Sequence, residues 1–162
     1  MMSIALDKLR EILNDASNSQ ALPVGHLYHF SDLAGEHQVE FCATWDTLPT
    51  AQRRRLARSL LELAEANFEV SFDAIFAHAL YDADAEVRAI AIDGLWENQD
   101  VALIGPLLAM LRSDPSSRVR AAAASSLGRY VLAGELEQIE APVHNRIMTE
   151  LLTTLHLAGE SL

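Results

Sequence analysis

Thiols, basic residues and long apolar runs are all scarce in this 162-residue chain, and each shortage excludes something. Cys42 is the one cysteine, so neither an intramolecular disulfide nor a multi-thiolate metal site can form. It sits in an apolar stretch with Val39, Phe41, Ala43 and Trp45 and reads as a buried core thiol. Only 12 Lys and Arg face 23 Asp and Glu, a formal net charge of −11. Gathering nucleic-acid phosphates needs the opposite balance, so the expected partner is a basic protein or a neutral apolar peptide. Although 50% of the residues are apolar, no run approaches the roughly 20 residues of a membrane span. The opening residues, Met1 to Lys8, lack the basic start and apolar core of a secretory signal. A cytoplasmic location is the expectation.

Chemical motifs are missing as well. There is no nucleophile elbow, no phosphate-cradling glycine loop and no paired zinc motif. No catalytic residue, cofactor or metal is therefore expected. His26 and His29 stand three apart with His37 beyond, but Gly25 weakens that segment and no carboxylate pattern accompanies them. They read as ordinary histidines, as do the scattered His78, His144 and His156. Arg53-Arg54-Arg55 with Arg58 is the one basic concentration. Without interleaved aromatics it lacks base-stacking platforms, and it reads as a solvated face with an Arg58–Glu62 pair worth a few tenths of a kcal/mol. Glu62 and Glu65 read as part of a polar helix face.

What the chain does have is a repeated line. Tyr81-Asp82-Ala83-Asp84-Ala85-Glu86-Val87-Arg88-Ala89-Ile90-Ala91-Ile92-Asp93-Gly94-Leu95 recurs 32 residues later, with Asp114, Val119, Arg120, Ala123 and Leu127 matching Asp82, Val87, Arg88, Ala91 and Leu95. Self-similarity at such a period marks stacked repeats. Each copy reads as a helix end, an Asp-bearing turn and a second helix, a hairpin that must lean on its neighbours to bury its apolar face. At 100° per residue Val87, Ile90, Ala91, Gly94 and Leu95 share one side, and the small residues at 91 and 94 admit a close neighbour. Asp82 and Asp114 are placed to accept from the free N–H groups of the next helix. Arg88 and Arg120 are expected to form a ladder with the aspartates of the turns.

No strand-like alternation occurs, and the expected class is all-α. Helices are predicted over 3–16, 34–46, 49–66, 72–81, 84–97, 101–112, 116–132 and 143–157, with one or two helical turns from Val24 to Phe30. The helix over 34–46 is expected to carry Val39, Phe41, Cys42 and Trp45 on its core side. Gly105-Pro106 should make the first turns of 101–112 irregular. Gly134 is expected to end the helix from 116, and the last helix to present Ile147, Leu151, Leu152 and Leu155. Grouped as repeats, the chain is one domain over 1–162: a cap over 3–33, a degenerate repeat over 34–66, repeats over 72–97 and 101–132, and a cap helix over 142–158.

The line Asp-x-x-x-x-Val-Arg-x-x-Ala-x-x-x-Leu, clear over about 72–132, resembles the HEAT repeat. It is most similar to the short units of phycobilisome bilin lyases and of many bacterial repeat proteins. The resemblance implies an α-α superhelix, a short solenoid with a partner-binding face. Within the predicted helix 84–97, Ile92, Asp93 and Trp96 point away from Val87, and the next copy places Ala121, Ala124, Ser125 and Gly128 there. The expected docking groove for a partner protein or peptide is therefore Trp96, Asp93, Ile92, Ser125 and Arg129, with Arg58 and Glu62. Packing of Ile92 and Trp96 on neighbouring helices is the competing reading. The expected function is a non-enzymatic protein-interaction module, with self-association as an added possibility. The alternative is a bilin-lyase-like protein that holds a hydrophobic pigment or cofactor.

Overall fold

A computed structural model describes residues 7, 9, 11, 22–136 and 139–159. Among these the structure is helical with no strand: α1 (Val24–Leu27, continued by a 3-10 turn Tyr28–Phe30), α2 (Gly35–Thr47), α3 (Thr50–Ala66), α4 (Asp73–Ala79), α5 (Ala85–Gly94), α6 (Ile104–Ser113, led by a 3-10 turn Val101–Leu103), α7 (Ser117–Glu135) and α8 (Ala141–Gly159). Residues 7, 9 and 11 are helical, and the rest of the helix predicted over 3–16 lies outside the described residues. The chain forms two compact units that divide between Leu95 and Trp96.

In the first unit α3 packs on α5 and α1, α4 on α5, and α2 on α4. Its centre is aromatic. Phe30 and Phe41 lie 5.0 Å apart, Phe41 and Trp45 6.2 Å, and Phe72 meets Phe76 edge to face at 6.5 Å, separations at which rings attract beyond their buried area. Phe41 and Trp45 are four residues apart and so share the core face of α2. Val39, expected beside them, is two residues from Phe41 and thus turned about 200° away. It is 69% exposed. Cys42 is half-buried rather than core; burial first, then the charge of Asp46, pushes its thiol up and away from reactive thiolate.

The turn between α4 and α5 recurs between α6 and α7 with the same pattern of hydrogen bonds. Asp82 Oδ1 accepts from the Asp84 N–H (2.9 Å), and Asp114 Oδ1 accepts from the Ser116 N–H (2.9 Å). The helix caps are Asp84 and Ser116, which accept from Val87 N–H (3.2 Å) and Val119 N–H (3.5 Å). The repeated aspartate therefore shapes the turn two residues ahead of the cap; it is not the cap itself. Arg88 and Arg120 each donate to two carbonyls of their own turn, Asp82 and Ala83 at 2.8 and 3.0 Å, Asp114 and Pro115 at 2.8 and 3.2 Å. Val87 and Val119 are both fully buried.

In the second unit α7 packs on α6 and α8, and α6 on α8. Asp100 caps the 3-10 turn before α6 by accepting from Ala102 N–H at 2.9 Å, which is the irregular start that Gly105-Pro106 predicts. Arg112 of α6 grips Glu150 of α8 through two nitrogens, one at 2.7 Å. Gly134 does not end α7, which runs on to Glu135. It is there because α8 is close: a Cβ would run into the His144 ring. On α8 only Ile147 of the four expected residues is buried; Leu152 and Leu155 are 58% and 73% exposed.

Gly94 plays the same part in the first unit, since a Cβ there would lie 2.5 Å from the Phe76 ring. Gly94→Ala is expected to cost about 1–3 kcal/mol by overpacking the α4–α5 seam. Gly128→Ala, where a Cβ meets nothing, should instead stabilise α7 by up to about 1 kcal/mol. Urea midpoints of the two variants check both signs.

Candidate functional site

The basic concentration on α3 is the first candidate, and the structure gives it a different role from a solvated face. Arg53 Nε and Nη2 donate to the two oxygens of Asp82 at 2.8 and 3.1 Å, while Nη1 donates to the Leu48 carbonyl. Arg54 forks onto Asp84 at 2.8 and 2.5 Å, with Glu86 3.3 Å from its Nε. Arg58, expected to pair with Glu62, pairs with Glu86. Three arginines spaced along α3 thus meet three carboxylates at the α4–α5 turn and the start of α5. Asp82 also accepts from the buried Trp45 indole N–H at 2.9 Å. Three of the four arginines of the basic concentration are therefore paired with the protein's own acids.

Trp96 is the second candidate. The sequence places it on the α5 face with Ile92, but α5 ends at Gly94, so the helical relation between 92 and 96 fails. Ile92 is buried at 1% exposure and belongs to the core, whereas Trp96 stands 51% exposed. Burial on both sides of α5 is the reason: Ala89 and Ile92 are as deep as Val87 and Ala91. Asp93, Glu62 and Arg58 of the first unit are exposed.

Within the second unit Trp96 has a built environment. The Arg129 guanidinium lies 5.4 Å from its ring centroid and 4.8 Å from that of Tyr130, both within cation–π reach. An Arg129 Nη also donates to Ser126 Oγ at 3.5 Å. Tyr130 anchors the group, its O–H donating toward the Asp100 and Asn98 carbonyls at 3.0 and 3.3 Å. Burial pushes this phenol up, with the Arg129 charge opposing, so it stays a protonated donor. Ser125 and Gly128 are exposed beside Arg129 on α7, and nothing fills the space over Gly128. The sequence named Trp96, Ser125 and Arg129; it missed Tyr130, although a tyrosine one residue after the arginine is a signal of sorts.

The histidine pair does not converge. His26 is half-buried with Nε2 4.0 Å from Glu11, and His29 is exposed on the 3-10 turn. Among the described residues no group of three or more His, Cys, Asp or Glu is arranged to hold a metal. No helix among them is long and apolar enough to cross a membrane.

Residues 72–141 match the family model for HEAT repeats. That span covers both copies of the repeated line. No curated protein and no solved structure gives a significant match to the chain.

The Arg–carboxylate cluster makes two stability predictions. Asp82→Ala leaves the nearly buried Arg53 and the Trp45 N–H without their acceptor, at a cost of about 3 kcal/mol, read as a lowered urea midpoint. The bond from Arg54 holds the Asp84 carboxyl at about 2, below its ordinary 3.8. A depressed carboxylate stabilises the fold above its unfolded value and loses that contribution as pH falls through the folded one. Stability should therefore drop between pH 4 and 2, by about 1 kcal/mol once the exposure of Arg54 is allowed for. Asp84→Asn should remove this component, so that the gap between variant and parent closes as the pH falls.

Proposed function

We propose that this HEAT-like repeat protein is a non-enzymatic interaction module that holds a partner protein or peptide through the patch around Trp96. HEAT repeats commonly mediate protein contacts, which supports the general reading. One observation supports the particular patch: a half-exposed tryptophan is oriented by an arginine that is itself clasped by a second ring. Trp and Arg are among the residues enriched at binding hot spots, and a side chain ordered beforehand loses less entropy when it binds. Ser125 and the open space over Gly128 give the partner room beside the indole. In this reading the chain acts in the cytoplasm, and the repeats over 72–97 and 101–132 form the module. No observation among the described residues favours the pigment-holding alternative.

The test is a side-by-side capture from native cell extract, with parent and Trp96→Ala proteins of matched helical content. Partners held by the parent should fall at least about tenfold on the variant, the loss expected when a hot-spot side chain is removed. Arg129→Ala, which leaves the indole in place but unheld, should cause a smaller loss. Equal retention by all three proteins overturns the proposed patch.

A further inference from the structure

The first unit carries a second exposed aromatic surface whose electrostatics differ from the Trp96 patch. Two loops are laced together there, one following α1 and the other following α3. Asn67 Nδ2 donates to the Tyr28 hydroxyl at 3.3 Å, Ser71 N–H donates to Ser31 Oγ at 3.0 Å, and Asp32 N–H donates to the Ser71 carbonyl at 2.8 Å. These bonds hold Phe68 one residue from the Tyr28 contact. Phe68 is 82% exposed and Tyr28 47%. A phenylalanine left so far in water, on a loop fixed by three bonds to its neighbour, is an unpartnered contact surface.

Its surroundings are acidic. Asp32, Glu65 and Glu69 are exposed on the same two loops and the end of α3. Among the described residues none of the three takes part in an ion pair, and Arg53, Arg54 and Arg58 face Asp82, Asp84 and Glu86 instead. The imbalance extends across the unit: through Leu95 there are 7 basic and 15 acidic residues, net −8, against −3 for the remainder. Exposed aromatic rings on loops that also carry carboxylates outside any ion pair suit a cation carried on an apolar stem. We propose that the Tyr28–Phe68 loop pair is a docking surface for a basic segment of a partner protein. An arginine or lysine of that segment stacks on Phe68 and Tyr28 while Asp32, Glu65 and Glu69 take its charge. The surface stands on the first unit alone and does not depend on the role of Trp96.

The probe is a fluorescein-labelled (Arg-Gly)6 peptide, titrated with the full-length protein at low salt and read by anisotropy. A (citrulline-Gly)6 peptide of the same shape and no charge serves as comparison. The arginine peptide is expected to bind, the citrulline peptide at least tenfold more weakly. Phe68→Ala should weaken binding about fivefold or more, and the pair Glu65→Gln/Glu69→Gln tenfold or more. The charge-matched pair Glu97→Gln/Glu140→Gln, Tyr81→Ala and Trp96→Ala should each stay within twofold. Backbone amide shifts should concentrate in residues 28–32 and 65–71. Equal losses from the two glutamine pairs would show attraction to net charge only and overturn the site. So would indifference to Phe68→Ala, or the absence of binding at low salt.

Discussion

Asp82 is the point on which the first unit depends. It is almost enclosed, with its side chain 4% exposed, and a carboxylate so placed is tolerated only if its oxygens are met by donors. Here they are met four times: by both arms of Arg53, by the Trp45 indole and by the backbone N–H of Asp84. The consequence is tertiary. One side chain ties α2, α3 and the α4–α5 turn to a single place, and the same turn sets the cap that starts α5. The fork of Arg54 on Asp84 continues this arrangement one residue pair further along. A chain with nearly twice as many acids as bases spends three of its few arginines on that turn.

This distribution of charge shapes what is left for partners. The arginines at the α4–α5 turn neutralise the carboxylates nearest to them, and those at Asp32, Glu65 and Glu69 go without. In the second unit Arg129 serves an indole and a phenol instead of an acid. The two exposed aromatic patches therefore differ in sign, one held by a guanidinium and the other bordered by carboxylates. A single composition figure, net −11, conceals that difference.

The fold was legible because periodicity reports on burial, and burial repeats. A line that returns after 32 residues with Val, Ala and Leu in fixed register can hardly pack except as matched helical hairpins, and the full burial of Val87 and Val119 bears this out. Sequence reading failed where a side chain answers to a neighbour distant in sequence. Arg53, Arg54 and Arg58 looked like a solvated face because Asp82, Asp84 and Glu86 lie about thirty residues away. Gly134 looked like a helix end, though its small size serves α8. Val39 belongs to an apolar run, yet its angle around α2 turns it away from Phe41 and into solvent. For the candidate site, the residue types at 96, 125 and 129 were readable, but their grouping was not. It depended on where α5 stops, and a helix boundary set by tertiary packing has weak local signals.

Gly94 and Ser126 occupy the same place in the repeated line, and both are small where a neighbouring helix or core leaves little room. Two residues further on, the same line carries Trp96 in one copy and Gly128 in the other, the largest side chain and none at all. Tight tolerance and free variation thus sit almost side by side in one repeating unit. Anyone rebuilding this scaffold to recognise a new target has a rule for randomisation: leave the 94/126 column untouched and draw the library from the 96/128 column, where chemistry can change while the architecture does not.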